Sequence, residues 1–301
     1  MPKDKLNHTD ALGRNTFQHI GKLDGVKPTP RERRWLKHIE RHGPQSSIYL
    51  HALTSDTHSC KDTSLRQLQK LRAAGFLRLP PQQRATEHAN FNSYIYDLTK
   101  RAEDHLFETG VGEPSVRPHG HWVHQYMTAC VTSSIDILAA QSGVRYIPTH
   151  EILAIKNSSF AVPINGQKLV PDQLFALDYG GSYRAFVLEV DRGTEPKTTT
   201  QLRKSYMNSI LLYRRLIEQN IYRSHYGLTA NLIVLWTFSS RRNQMKFLKM
   251  VGQTSGGLQR SVFTQTVSGF DHNWRPPNML TELFQNLWTG VDGAQFSAKY
   301  P

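Results

Sequence analysis

The chain has 301 residues, 38% hydrophobic and 20% charged, with 37 Lys and Arg against 24 Asp and Glu and a formal net charge of +13. That length accommodates two domains of ordinary size, and such a basic excess attracts polyanions, nucleic acid foremost. Only Cys60 and Cys130 are present, outside any C-x-x-C spacing, which argues against a disulfide framework or a cysteine zinc site.

The chain starts M-P-K-D-K-L-N-H-T-D, without the apolar centre of a secretory signal. No apolar run approaches the roughly 20 residues needed to cross a bilayer. A cytoplasmic protein with no membrane segment is therefore expected. Residues 1–28 are polar, lack periodicity and run into V-K-P-T-P, so they read as a flexible basic arm.

Thr29 supplies an N-cap and Pro30 a first helical residue. The helix that follows carries Trp35, Leu36 and Ile39 on one face and stops at Gly43-Pro44. A second short helix is expected over 47–53. In the third, Leu65, Leu68 and Leu71 recur at helical spacing while Arg66, Lys70 and Arg72 point elsewhere. Strands are expected at 76–79 and 94–99.

Three helices followed by a two-stranded hairpin, with S-L-R-Q-L-Q-K-L-R-A-A-G-F-L as the third helix, resembles a winged helix-turn-helix over residues 30–106. The resemblance implies a 29–107 domain that binds double-stranded DNA, with Lys61, Arg66, Lys70 and Arg72 contacting it. Use of that module for protein contacts alone is the plainer alternative. Residues 108–119 hold two glycines and two prolines before their last position and read as a linker.

Beyond the linker the pattern predicts a helix over 122–140, strands over 144–152, 169–177 and 184–191, and a helix over 201–219. A continuously apolar strand at 231–238, a helix over 239–251 and a strand over 261–267 follow. The expected fold is α/β, a mixed sheet over 120–268, with a C-terminal extension at 269–301 ending in a helix around 280–288.

Asp172 and Glu189 fall on the two strands of the 169–191 hairpin. Strand alternation puts Val187, Glu189 and Asp191 on one face. Two carboxylates on neighbouring strands offer hard oxygen ligands suited to Mg²⁺ or Mn²⁺. The bland reading is a solvated acidic strand face pairing with Arg192 or Lys204.

The element order, together with Pro171-Asp172 and Glu189-Val190-Asp191, resembles the PD-(D/E)XK nuclease superfamily. That resemblance implies a metal site of Asp172, Glu189 and Asp191. It also implies a catalytic role for Lys204 and Gln201, since Asp191 occupies the superfamily's usual lysine position and some members carry that lysine on the next helix. Gln201, Lys204, Ser205 and Asn208 are expected to form one polar stripe there.

The longer string P-D-Q-L-F-A-L, F-V-L-E-V-D-R-G-T-E, L-R-K-S-Y and W-T-F-S-S-R-R-N-Q-M-K-F-L resembles the replication-relaxation proteins. These join a winged helix to a nuclease-like domain and look related to MOB-C class mobilisation relaxases. The resemblance implies plasmid or mobile-element DNA, replication or mobilisation proteins as partners, and nicking. A DNA-bound accessory factor that no longer cuts is the alternative, with Asp191 as its best support. His121 and His124 have a spacing compatible with metal ligation but, with His119, read as linker or substrate-facing groups. Tyr206 and Tyr213 read as core.

Overall fold

The computed structural model describes residues 21–84, 93–116, 120–192, 205–254, 256–269 and 276–301. These fall into two compact units, one within Met1–Glu113 and Asp271–Asn278, the other within Pro114–Phe270 and Met279–Pro301. Among the described residues no helix is long and apolar enough to cross a membrane.

The first unit runs α1 (Pro30–His42), β1 (Gln45–Ser46), α2 (Ser47–Leu53), α3 (Lys61–Ala73), β2 (Leu77–Arg78), α4 (Pro81–Arg84), β3 (Ile95–Leu98) and α5 (Lys100–Glu108). Its strands form a small antiparallel sheet in the order β1-β3-β2. α1 begins as the sequence requires. The Thr29 hydroxyl accepts from Glu32 N, Glu32 reaches back to Thr29 N at 2.8 Å, and Pro30 occupies the first turn. This capping box satisfies two amide groups that a helix start would otherwise leave unpaired.

Trp35, Leu36, Ile39, Leu50, Leu68 and Leu71 close the core between α1, α2 and α3. Arg31 is buried within it, donating to Thr54 Oγ1 at 3.1 Å and Ser64 Oγ at 2.8 Å, so its charge is solvated by the fold itself. α5 has no counterpart in the sequence reading. Of K-R-A-E-D-H-L-F-E only Ala102 and Leu106 are buried, too thin an apolar stripe to register as periodic.

The segment expected to be a linker begins anchored. Glu113 accepts from Arg41 Nε at 2.9 Å and Nη2 at 2.8 Å and lies 2.8 Å from Lys37 Nζ. Burial alone would raise its carboxyl, but the hydrogen bonds and charges of Arg41 and Lys37 hold it down at about 2. A depressed carboxyl stabilises the fold above its ordinary value of 4.5, and that contribution is lost as pH falls toward about 2. Glu113→Gln is expected to cost about 1–3 kcal/mol in urea unfolding at pH 7. The gap to the parent should shrink through that acid window; a gap independent of pH would overturn the assignment.

The second unit contains α6 (Trp122–Gln141), β4 (Arg145–Ile147), α7 (Thr149–Ala154), the hairpin β5 (Val162–Ile164) and β6 (Gln167–Leu169), β7 (Gln173–Asp178) and β8 (Tyr183–Asp191). It continues with α8 (Tyr206–Glu218), α9 (Ile221–Tyr226), β9 (Leu232–Phe238), α10 (Arg241–Gly252), β10 (Val262–Thr266), α11 (Glu282–Gln285), β11 (Trp288–Thr289) and β12 (Gln295–Phe296). Its large mixed sheet has the order β12-β11-β10-β9-β8-β7-β4. β8, β9 and β10 are parallel to one another, and β7 runs antiparallel to β8.

One face of this sheet packs Leu174, Val187, Val234, Trp236 and Phe238 against Tyr206, Ile210 and Tyr213 of α8 and Phe247 and Val251 of α10. The other carries a ring column, Tyr146 on Phe175 on Phe186, with centroids 5.1 Å apart at each step. α6 crosses β4, β7 and β8 and is buried continuously from Tyr126 to Ala139.

Several expected bounds move. The strand over 144–152 stops at Ile147, because Pro148 ends the ladder and leads into α7. Leu169 belongs to β6, and the first strand of the acidic hairpin starts at Gln173. The final helix shrinks to α11, and the chain instead adds β11 and β12 to the sheet. Apolar spacing there fits either period, and pairing of Thr289 with Thr264 of β10 decides it.

Candidate functional site

β8 reads Y-R-A-F-V-L-E-V-D, and every residue from Ala185 to Asp191 is buried, as a central strand covered on both faces must be. Its last positions break the apolar rule. Glu189 and Asp191 are each only 1% exposed. A buried carboxylate is costly unless hydrogen bonds or charges compensate it, so its surroundings carry the information.

The hairpin turn sets the register. Gly180 and Gly181 both take positive φ, 79° and 132°, conformations that side chains resist, and Asp178 accepts from Gly180 N. With that turn fixed, Gln173 pairs with Leu188, and Asp172 N donates to Leu188 O at 3.0 Å. A one-residue slip would send Glu189 to the opposite face.

Asp172 is buried at this corner. Its Oδ2 accepts from Val190 N at 2.8 Å, and its Oδ1 lies 2.9 Å from His124 Nε2, brought in by the first turns of α6. Tyr213 of α8 donates its hydroxyl to Glu189 Oε1 at 2.5 Å. Burial, then the Glu189 charge and hydrogen bond, then the Asp172 charge push the phenol well above its ordinary value, so Tyr213 stays a donor. Arg192 follows Asp191 and donates to His121 Nδ1 at 3.2 Å, which ties the end of β8 to the cap of α6.

The structure therefore places Asp172 just before β7, beside Glu189 of β8, with Asp191 one pleat on, and adds His124 and Tyr213. In the sequence His124 reads as a linker or substrate-facing group and Tyr213 as core. The signal for Tyr213 existed, since a fully buried tyrosine hydroxyl needs a partner and α8 faces β8. Gln201 and Lys204 lie outside the described residues, and so does His119. α8 begins at Tyr206, with Ser205 as an extended N-cap accepting from Asn208 N, so the expected helix through Ser205 starts later.

Carboxylate oxygens suit Mg²⁺ or Mn²⁺, whereas the His124 imidazole is a ligand type favoured by transition metals. The 2.9 Å between His124 Nε2 and Asp172 Oδ1 matches the roughly 3 Å between adjacent ligands of an octahedral ion with bonds of about 2.1 Å. No three of His124, Asp172, Glu189 and Asp191 bring ligand atoms within 4.8 Å of one another, so one ion engages at most two of them unless a side chain turns.

In the first unit, Lys61 and Arg66 are exposed along α3. Lys70 is partly covered and ion-paired with the buried Glu32, and Arg72 is buried. The exposed basic face expected of α3 is thus reduced to Lys61 and Arg66.

No curated protein and no solved structure matches the chain. The family model described as Replication-relaxation matches residues 36–232, well over half of the sequence, spanning α3, the acidic hairpin and Tyr213. On that match the chain belongs to the replication-relaxation family.

Proposed function

We propose that this protein is a DNA-binding, metal-dependent nicking endonuclease acting on plasmid or mobile-element DNA during replication or mobilisation. The observation that carries the reading is the buried set of Asp172, Glu189 and Asp191 at the ends of adjacent strands, joined by His124. Stability alone favours apolar residues at such positions, and clustered buried ionisable groups mark functional sites.

The order α6, β4, β7, β8, α8, β9, with β9 parallel to β8, supports the PD-(D/E)XK reading. α1 to α3 followed by β2 and β3 supports a winged helix, in which Lys61 and Arg66 of α3 face DNA. Asp172 and His124 would hold Mg²⁺ or Mn²⁺, with Glu189 completing the set on a side-chain turn and Asp191 beside it. When bound, such an ion supplies Lewis-acid polarisation of a phosphate and a water of lowered pKa.

The chain's own residues do the rest. Val190 N orients the Asp172 carboxylate, Tyr213 positions Glu189, and Arg192 offers a cation to charge developing on the phosphate. Lys204 is a second candidate for that cation, with Gln201 beside it in the chain.

Incubating the purified full chain with supercoiled plasmid, including plasmid bearing its own origin, and Mg²⁺ or Mn²⁺ should yield open circles. A second reading, a DNA-bound accessory factor that does not cut, is favoured by Asp191 at the usual lysine position and by the spread of the ligand atoms. Tight, salt-sensitive DNA binding with no open-circle product under any of these conditions would select it.

A further inference from the structure

We propose that Arg241 and Arg242, at the start of α10, form a clamp for DNA backbone phosphates alongside the acidic site. The proposal rests on the nuclease reading and adds the groups that seat the strand. β9 runs parallel to β8 with Phe238 beside Asp191, and neighbouring strands lie about 4.8 Å apart. Arg241 follows Phe238 by three residues, a reach of at most about 10 Å, so both arginines start α10 at the end of the sheet where the carboxylates lie.

Like Arg66 and Arg260, these arginines are exposed, and it is their place beside the acidic strand end that singles them out. Both are exposed, and no acidic side chain among the described residues pairs with either. Elsewhere the exposed guanidiniums of Arg34, Arg78 and Arg145 each meet a carboxylate, Asp56, Asp97 and Glu151 respectively. The helix itself gains nothing from the pair. Cations in a first turn oppose the helix dipole, and this first turn holds no acidic residue to offset them. The cap is made without them, by Ser240 Oγ accepting from Asn243 N at 3.3 Å.

Two arginines with no acidic partner among the described residues, placed against helix stability at the sheet end that carries the buried carboxylates, fit one chemistry. A phosphodiester approaching Glu189 and Asp191 is repelled unless cations flank it, and the guanidinium fork grips phosphate oxygens in pairs.

The test uses the full chain, a fluorescein-labelled duplex of about 30 base pairs, EDTA to prevent cutting, and anisotropy between about 50 and 200 mM salt. For R241A/R242A the slope of log affinity against log salt should fall by about 1.8, two phosphate contacts at about 0.9 each. R241K/R242K should recover most of it. A slope equal to the parent's overturns the clamp. If R66A lowers the slope while R241A/R242A does not, DNA binding by the first unit stands and only the clamp fails. A parent with no salt-dependent binding removes the clamp and the nuclease reading together.

Discussion

Asp172→Asn and Glu189→Gln are each expected to reduce plasmid nicking by more than about 100-fold, the upper end of what groups that merely orient metal ligands contribute. DNA affinity measured without divalent ion should stay within about twofold of the parent. The isosteric amides separate chemistry from folding. In the Asp172→Asn variant the side-chain amide oxygen can still accept from Val190 N, whereas alanine would remove that buried amide's acceptor, at about 1–3 kcal/mol, along with the carboxylate beside His124 Nε2. Parental nicking by either amide variant would remove the acidic pair from the mechanism, whatever the fate of the rest.

Tyr213→Phe has the second large effect, and it reads out in two ways. Removing the hydroxyl takes one hydrogen-bond donor from the buried Glu189 carboxylate, an expected loss of about 1–3 kcal/mol in urea unfolding at pH 7. Because the phenol acts through Glu189 as a positioning group, nicking should fall about 10–100-fold, with the loss confined to the metal-dependent step and DNA binding retained.

A pH series adds an independent check. The folded Tyr213 is raised well above an ordinary tyrosine, so its contribution is complete below about pH 10 and declines as pH rises further and the unfolded chain ionises first. Tyr96 and Tyr226 are raised by burial in the same direction, so the parent should lose stability in alkali and the variant should lose less. Equal alkaline slopes in parent and variant would show that Tyr213 does not sense Glu189.

The acidic hairpin was legible in the sequence because alternation along a strand is local: Val187, Glu189 and Asp191 share a face wherever the strand sits. Its partners were not. His124 reads as one of three histidines beside a linker until α6 crosses β7 and β8, and Tyr213 reads as a core aromatic until α8 covers that face of the sheet. α3 shows the same limit from the other side. Its spacing located Lys61, Arg66, Lys70 and Arg72 off the leucine face, but only packing revealed that Lys70 serves Glu32 and that Arg72 is buried. Off the apolar face is not the same as exposed when a helix is enclosed by several neighbours.

Local patterning alone sets the order of most elements, the cap of α1 at Thr29, the apolar β9 strand and the β7–β8 hairpin, which carries Glu189 and Asp191 with Asp172 at its entry. All of these follow from backbone period, capping chemistry and turn residues, which act over a few positions. Tertiary structure decided what joins the carboxylates and what covers them. It recruited His124 from α6 and Tyr213 from α8, converted the expected terminal helix into β11 and β12, and set Arg241 and Arg242 at the Asp191 end of the sheet. Those outcomes depend on strand register and helix placement, long-range contacts that no local spacing encodes.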